Sequence, residues 1–242
     1  MEISIIGCGG VGTHLALPLM KYAENYENNL ARVNGWGDGE NLVIHFIDGD
    51  IFEEKNLNRQ LVNESGIGIN KARWLGGFCN LFAGKNTRIN IIEEYVTEEN
   101  VNKIPYGFVF NCVDNNATRH LIEKYRQDMI YSNGMCIING GNETFDGNVY
   151  VSNSSNKSIF DIHKEIAEPK DNNPGISCDE AVKETPQISV ANNMVAALML
   201  VQFYKALETD GREIIHEDKS ELYFDIRNGE VAGYDRRKVI GD

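Results

Sequence analysis

The chain alternates between short apolar runs and longer segments in which apolar residues recur every three or four positions. The short runs predict buried β-strands, and the periodic segments predict helices. In the first part of the chain the predicted strands are EISIIG, LVIHFIDGD, TRINIIEEYV and FVFNCVD, and the predicted helices are VGTHLALPLMKYA, NKARWLGGFCNLFAG and NATRHLIEKYRQDM. This alternation predicts an α/β fold, with a mostly parallel Rossmann-like sheet covered by helices on both faces.

The last part of the chain has a different pattern. The runs MCIINGGNET and GNVYVSNS predict two strands joined by a turn at Asp146-Gly147. A polar stretch at 152–176 follows, and its composition predicts a long, mobile crossover loop. The segment ISVANNMVAALMLVQFYKAL predicts a strongly apolar, buried helix, and ELYFDIRNGEVAGYDRR predicts a C-terminal hairpin that turns at Asn228-Gly229.

Composition narrows the classes of function. The net charge of −13 argues against nucleic-acid binding, because phosphate neutralisation needs clustered Lys and Arg. We see no apolar run of about 18 residues, so no membrane span is expected. The five cysteines are odd in number, widely spaced and form no CxxC pair, which predicts neither a disulfide framework nor a four-Cys zinc site. A reducing cytoplasm is the expected location.

A glycine-rich stretch, GCGGVG, lies between the first predicted strand and the first predicted helix. Its glycines are Gly7, Gly9, Gly10 and Gly12. Glycines at such a junction allow a tight turn and let backbone N–H groups approach a phosphate at the helix N-terminus. Alone, the motif suits NAD, FAD, S-adenosylmethionine or ATP equally, and it also suits a close strand–helix packing turn.

Two acidic residues, Asp48 and Asp50, end the second predicted strand. A dinucleotide fold usually has an acidic residue about 20 residues after its first glycine, where it binds the ribose. Here the polar segment KYAENYENNLARVNGWGDGEN lies in between and is predicted to be an insertion that accounts for the longer spacing. Without the insertion Asp48 returns to the ribose-binding place. One of the two carboxylates is expected to bind a ribose hydroxyl and the other to face a metal or the adenine side, and the residues alone leave both assignments open.

Groups that suit a triphosphate follow in NLNRQ, which contains Asn56, Arg59 and Gln60. Arg59 offers a bidentate fork for phosphate oxygens, and Asn56 can hold a phosphate or a metal-bound water. Because GK[ST] does not follow the glycines, the stretch is no Walker P-loop and positive charge must come from elsewhere. Lys71 begins a predicted helix, where it either reaches a polyphosphate or is an ordinary surface lysine.

Asp114 and Asn115 follow the predicted strand FVFNCV. The carboxyl ends of parallel strands are where such sheets bind ligands, and a carboxylate beside phosphates is suited to Mg²⁺. Asp114 is therefore a candidate magnesium ligand. The alternative is a helix N-cap, which is a common use of Asp.

The order GxGGxG, DxD, NLNRQ, Lys after a glycine turn, and DN…R resembles the ThiF/MoeB/ubiquitin-activating-enzyme superfamily, from residue 3 to about residue 235. The resemblance implies an ATP- and Mg²⁺-dependent enzyme that adenylates the C-terminal glycine of a ubiquitin-like or ThiS-like β-grasp protein. By motif, Asp48 binds the ribose, Asn56, Arg59 and Lys71 bind the phosphates, and Asp114 holds the magnesium.

The resemblance also implies one ThiF-like domain over 1–242. Within it, 1–151 binds ATP, 152–176 is the crossover loop, and 177–242 contributes the C-terminal helix and hairpin. A homodimer is expected. The two CxxC pairs that many members use for zinc are absent, so no zinc is expected. The segments NGWGDGEN and PGISCDEA are most similar to ThiF-family proteins of PRTRC-type bacterial gene systems, which occur alongside conjugating-enzyme-like proteins.

Cys178, in PGISCDEA, precedes the predicted apolar helix. Superfamily members that carry sulfur or form thioesters have a cysteine in a comparable place, so the resemblance implies transfer of the activated carboxylate to Cys178. A helix N-terminus would favour its thiolate. The alternative is an ordinary loop residue.

Two other function classes fit part of the sequence. A catalytically silent subunit that binds a ubiquitin-like protein within a heterodimeric activator would suit the lack of a helix before the first strand. A NAD-dependent oxidoreductase would explain the glycines and Asp48, but it leaves NLNRQ unexplained.

Overall fold

The computed structural model describes residues 1–33, 42–129, 134–170, 188–208 and 219–237. It has one eight-stranded sheet in the order β3-β2-β1-β4-β5-β6-β7-β8. The strands are β1 Glu2–Ile6, β2 Leu42–Ile47, β3 Thr87–Ile92, β4 Gly107–Asn111, β5 Met135–Asn142, β6 Asp146–Ser152, β7 Glu221–Asp225 and β8 Glu230–Tyr234. The first five strands of the sheet are parallel, and β6, β7 and β8 pair antiparallel.

Helices cover both faces of this sheet, which confirms the predicted α/β fold. They are α1 Gly10–Val33, α2 Lys71–Asn80, α3 Asn116–Asp128, α4 Ile159–Ile162, α5 Lys164–Ala167 and α6 Ser189–Glu208. Helices α1, α2 and α6 pack with Ile3 and Ile5 of β1 in one core, whereas α3 packs with Ile6 and other residues in a second core. Because successive side chains of a strand point to opposite faces, an apolar strand such as β1 serves both cores.

The chain order opens a crevice between the ends of β1 and β4. From β1 the chain builds β2 and β3 on one side, and it then crosses to build β4 and β5 on the other side. The loops after β1 and β4 therefore diverge and leave a crevice at the carboxyl ends of these strands, which is where open α/β sheets bind ligands.

The two predicted strands do form a hairpin, but its turn lies just before Asp146-Gly147 and not around these residues. These two residues begin β6, Gly147 pairs with Asn142, and the connection is formed by residues 143–145. Position 147 has room only for glycine, because a Cβ there would lie 2.6 Å from the carbonyl oxygen of Gly141. The glycine serves close packing between strands, although its sequence context resembles a turn. The C-terminal hairpin over Asn228-Gly229 is confirmed, with Gly229 at a φ of +67°.

Three predicted segments also differ in extent. The stretch predicted as a crossover loop contains α4 and α5, because Ile159 and Ile166 bury themselves against Tyr150. Helix α1 continues to Val33, through much of the segment predicted as an insertion. Strand β3 stops at Ile92, so 93–96 form a loop. The segment NGWGDGEN lies outside the described residues.

Helix α6 is long and apolar enough to cross a membrane by length and composition, over Ser189–Leu207. An apolar run of this length was therefore overlooked in the sequence, and the expectation that no segment spans a membrane stays a prediction. In this fold α6 is a core helix that packs against α1, β5 and β6. It also buries the polar side chains of Asn192 and Gln202 completely, with Gln202 Nε2 donating to the carbonyl oxygen of Lys219 at 2.8 Å.

Candidate active site

A cleft of about 360 Å³ opens at the carboxyl ends of the central parallel strands. Most of the residues predicted from the sequence line it together: Gly7, Gly9, Gly10, Asp48, Asp50, Arg59, Gln60, Lys71, Asp114 and Asn115. Gly12 and Asn56 do not line it, and Cys178 lies outside the described residues. The fold thus brings motifs that are more than a hundred residues apart in the chain to one place.

The glycine loop is closely packed as well as open to the cleft. Gly7 has a φ of +89°, and a Cβ there would lie 2.9 Å from the carbonyl carbon of Cys112. A Cβ on Gly12 would lie 2.1 Å from the carbonyl oxygen of Gly7. Gly12 is therefore required for the turn itself. Gly7, Gly9 and Gly10 line the cleft, and Gly9 and Gly10 do so at the N-terminus of α1.

Asp48 is held by the backbone around it. Its Oδ2 accepts from the N–H of Cys8 at 2.6 Å, and its Oδ1 accepts from the N–H of Asp50 at 2.8 Å. Burial raises the pKa of Asp48 to about 6, although the Lys71 ammonium and both backbone donors act in the opposite direction. A carboxylate bound to the loop after β1 and facing the cleft fits the predicted ribose contact.

Lys71 is the first residue of α2, as the sequence predicted, and it is 7% exposed. It is therefore not an ordinary surface lysine. Its Nζ donates to Asp50 Oδ2 at 2.9 Å, and Asp50 lies between Lys71 and the end of β2. Asn70 caps α2 by accepting from the N–H of Arg73, and its Nδ2 donates to the carbonyl oxygen of Asp48 at 2.9 Å. The acidic pair and the lysine are thus one connected unit.

The NLNRQ segment forms a compact turn around Asn56, which is 1% exposed. Asn56 Oδ1 accepts from the N–H of Glu53, and the Asn56 carbonyl accepts from the N–H groups of Arg59 and Gln60. Its side chain therefore builds the turn, while Arg59 and Gln60 line the cleft. The predicted phosphate contact of Asn56 remains a prediction that this arrangement does not favour.

Asp114 lies exposed at the end of β4, and Asn115 is the residue that caps α3. Asn115 Oδ1 accepts from the N–H of Thr118 at 2.8 Å. The alternative that Asp114 is the N-cap is therefore wrong, and Asp114 lines the cleft instead. Arg119, one turn into α3, donates from Nη2 to the carbonyl oxygens of Val113 and Gly140 at 2.7 and 2.8 Å and so ties β4 to β5.

The arrangement fits Mg²⁺ held by Asp114 together with substrate phosphates. Among the described residues no group of three His, Cys, Asp or Glu side chains could hold a metal by itself. Mg²⁺ usually binds through one or two carboxylates plus phosphate oxygens and waters, so a single exposed carboxylate at the mouth of the cleft is sufficient.

Among the site residues missed from the sequence, two donate hydrogen bonds to predicted ones. Tyr95, in the loop after β3, lines the cleft, and its hydroxyl donates to Asp50 Oδ1. Asn192 of α6 lies against Gly10, and its Nδ2 donates to the Arg59 carbonyl at 3.0 Å. A pair of Asn in an otherwise apolar helix was a usable signal for Asn192, whereas Tyr95 has no local motif.

Known proteins share this sequence pattern and fold. The ThiF family profile matches residues 1–231. The "Adenylyltransferase and sulfurtransferase UBA4" of Saccharomyces cerevisiae is 23% identical over 201 residues, which cover 81% of this chain and 40% of that protein. Among solved structures, PaaA superposes with a TM-score of 0.66 at 17% identity, over 98% of this chain and 64% of PaaA. E. coli MccB with ATP gives 0.65 at 18% identity, over 98% of this chain and 64% of MccB.

The chain thus spans less than two thirds of each of these proteins, and the low identities to the solved structures speak for the fold alone. The family profile, by contrast, covers nearly the whole chain and includes the glycine loop, the acidic pair, NLNRQ and the residues after β4. This chain belongs to the ThiF family.

Proposed function

We propose that the protein is an ATP-dependent adenylyltransferase that activates the C-terminal carboxylate of a ubiquitin-like β-grasp protein. One observation carries the proposal. A single cleft is lined by the glycine loop, the ribose-type acid Asp48, the cations Arg59 and Lys71, and the exposed carboxylate Asp114. A nicotinamide oxidoreductase would use the first two of these features but not the cationic groups. E. coli MccB has been solved with ATP, and the yeast relative is named an adenylyltransferase, so both support the same nucleotide and chemistry.

The proposed reaction is an in-line displacement. A carboxylate oxygen of the tail attacks the α-phosphorus of ATP, an acyl–AMP bond forms, the bond to the bridging oxygen breaks, and pyrophosphate leaves with the electron pair. Because the nucleophile is already ionised, no general base is needed. Arg59 and Lys71 reduce the repulsion between the carboxylate and the triphosphate and stabilise the charge on pyrophosphate. Mg²⁺, when bound at Asp114, would supply further neutralisation of the phosphate oxygens.

The partner, the assembly and the fate of the adenylate are further parts of this proposal. The tail of the partner enters the same cleft, and the enzyme is a homodimer. The Cys178 thiolate then attacks the acyl–AMP carbonyl, so that a thioester forms and AMP leaves. Sedimentation velocity tests the homodimer, and trapping of a reducible adduct that Cys178→Ala abolishes tests the transfer.

Exchange between ATP and labelled pyrophosphate tests the central proposal. The reaction contains Mg²⁺ and the small β-grasp protein encoded nearest this gene. We expect exchange that requires the terminal glycine of the partner and that falls at least a hundredfold in Arg59→Ala and in Asp114→Ala, since each removes a group that faces developing charge (about 10²–10³ per such group).

Two variants of exposed residues serve as controls: each removes the same type of charged side chain as Arg59→Ala or Asp114→Ala, but outside the cleft. Arg73, whose side chain is 65% exposed, pairs with Glu93 outside the cleft, and Asp161 is an exposed residue of α4. Arg73→Ala and Asp161→Ala should retain wild-type exchange. Normal ATP binding without exchange would support the silent subunit instead. Full exchange in Arg59→Ala and Asp114→Ala would refute the site assignment.

A further inference from the structure

The loop after β3 reaches Lys71 through a carboxylate. Asp50 accepts from Lys71 Nζ on Oδ2 and from the Tyr95 hydroxyl on Oδ1, so the two donors occupy different oxygens of one carboxylate. All three side chains line the cleft. Lys71 is buried, and Tyr95 is 41% exposed. The contacts therefore link an exposed tyrosine, through Asp50, to a buried lysine.

Tyr95 is itself held firmly. Its carbonyl accepts from Asn100 Nδ2 at 2.8 Å, and the same Asn100 accepts from the N–H of Thr97 at 2.8 Å. Its ring lies on Gly49, where a Cβ would come within 2.6 Å of the ring atoms. The glycine between the two acids therefore makes room for the tyrosine ring. In this way the DGD sequence accommodates a residue from another loop.

The charges explain what this chain of contacts can do. An ammonium group has three donors, so Lys71 can keep its bond to Asp50 and still donate to a phosphate oxygen. The lysine side chain is flexible, and fixing the ammonium at the cleft wall reduces the entropy lost when ATP binds. This works only while Asp50 stays in place, and the Tyr95 hydroxyl holds the oxygen that Lys71 does not use.

We propose that Tyr95 is a positioning residue for Lys71, acting through Asp50, and that it thereby contributes to recognition of the β- and γ-phosphates. This rests on the proposed function, because it requires ATP in the cleft. Tyr95 does not contact the reacting atoms in this role, and its effect depends on the lysine.

Binding of ATP and of AMP to the full chain, measured by calorimetry, tests the role without any partner. AMP lacks the β- and γ-phosphates. We expect Tyr95→Phe, which keeps the ring and removes the hydroxyl, to weaken ATP binding about tenfold and to leave AMP binding unchanged (a hydrogen bond to a charged group is of about this size). Tyr106→Phe, at an exposed tyrosine outside the cleft lining, is the control.

A double-mutant cycle separates positioning from a general structural role. In a Lys71→Ala background, Tyr95→Phe should cause no further loss of ATP affinity, because the group that it positions is gone. Equal weakening of ATP and AMP, or additive losses in the cycle, would overturn the proposal and make Tyr95 a wall of the cleft. If the wild-type chain bound no ATP, the proposed function would fail and this inference with it. Selective loss in the single variant combined with no loss in the cycle would establish it.

Discussion

Glycine is required at one helical position of this molecule and is replaceable at another. Gly12 lies in the first turn of α1, where a Cβ would meet the carbonyl oxygen of Gly7 at 2.1 Å. Gly77 lies in α2, where a Cβ would have no neighbour within 4 Å. Helix propensity alone would favour alanine at both positions. The neighbouring backbone decides the outcome at Gly12, because a carbonyl in a tight turn has no space to move.

Alanine substitutions at these two glycines should therefore change stability in opposite directions. We expect Gly12→Ala to lower the free energy of unfolding by about 3 kcal/mol or more, since the added methyl overlaps backbone atoms. Gly77→Ala should raise it by about 0.5–1 kcal/mol, because it reduces the freedom of the unfolded chain. Urea denaturation of both variants measures these values. Similar shifts in both would contradict the packing described for the glycine loop.

Asp48 should give nucleoside binding a pH dependence. Burial raises its pKa to about 6 from an ordinary value of 3.8. A ribose hydroxyl donates better to the ionised carboxylate, so we expect the affinity for adenosine to fall as the pH goes below about 6. Adenosine is the suitable probe because it has no phosphate that titrates in this range. Asp48→Asn should bind more weakly and without this pH dependence.

The pKa of Asp48 also makes folding stability depend on pH, and in the direction opposite to that of nucleoside binding. Because the folded-state pKa is the higher one, the contribution of Asp48 to stability is fully present below pH 3.8 and is lost as the pH rises through about 6. Acidification thus favours the fold at this residue while it weakens the ribose contact.

The outcome that would contradict the binding prediction is an adenosine affinity that stays flat between about pH 5 and 8. Such a result would show that Asp48 does not face the ribose.

At the scale of elements, one histidine adds a charged contact between the α4–α5 segment and the sheet, beside the apolar packing of Ile159 and Ile166 on Tyr150. His163 lies between the two helices, and its Nε2 contacts Glu221 Oε1 of β7 at 2.9 Å while its Nδ1 contacts Glu165 Oε1 at 3.1 Å. Burial alone would lower the pKa of His163, but Glu221 and Glu165 outweigh it and raise the pKa. Burial would likewise raise the pKa of Glu221, but His163, Arg236 and Asn148 lower it to about 2.

The attachment should therefore weaken at alkaline pH. A His whose pKa is raised on folding contributes stability that is fully present below about 6.5 and is lost as the pH rises through the folded-state value. We expect His163→Gln to lower the thermal midpoint more at about pH 6 than at about pH 9. His120→Gln, which also removes an imidazole next to α5, is the control, since His120 contacts the carbonyl of Ile166. An equal loss for His163→Gln at both pH values would count against the charged pair.

The parallel strands and the long helices were predictable because their apolar runs contribute to one of two large cores. The short helices were not, because α4 and α5 have four residues each and show less than two turns of periodicity. Gly147 was mistaken for a turn residue because close packing and tight turns require the same residue type. Within the site, motifs that follow strands were recognised, since the ends of parallel strands meet at one edge. Tyr95 was not recognised, because the sequence placed it inside the predicted strand TRINIIEEYV, whereas β3 ends at Ile92 and Tyr95 lies in the loop that follows.

At the scale of the whole molecule, helix α6 packs against the glycine loop. Asn192 in the first turns of α6 lies against Gly10 and donates to the carbonyl of Arg59, and Ser189 Oγ contacts His14 of α1 at 2.9 Å. Helix α6 therefore fixes both the glycine loop and the NLNRQ turn.

Asn192→Ala should weaken ATP binding although its side chain does not line the cleft. The change removes the donor to the Arg59 carbonyl and leaves a gap under Gly10, so we expect a loss of stability of about 1–3 kcal/mol and a measurable loss of ATP affinity. The neighbouring Asn193 is exposed, and Asn193→Ala should change neither. Calorimetric binding and thermal denaturation of both variants test this. Identical behaviour of the two variants would mean that α6 does not support the loop.

Gly10 and Asn192 are far apart in the chain, so their contact can form only late in translation. A ribosome has released Gly10, Arg59 and Asp114 well before α6 exists. During this interval the nascent chain contains every phosphate-facing group named above, but it lacks the side chain that holds two of their loops together. A ligand stabilises only the state that can bind it. Because the proposed ATP affinity depends in part on Asn192, we expect ATP to stabilise the chain that includes α6 more than a nascent chain that ends before it.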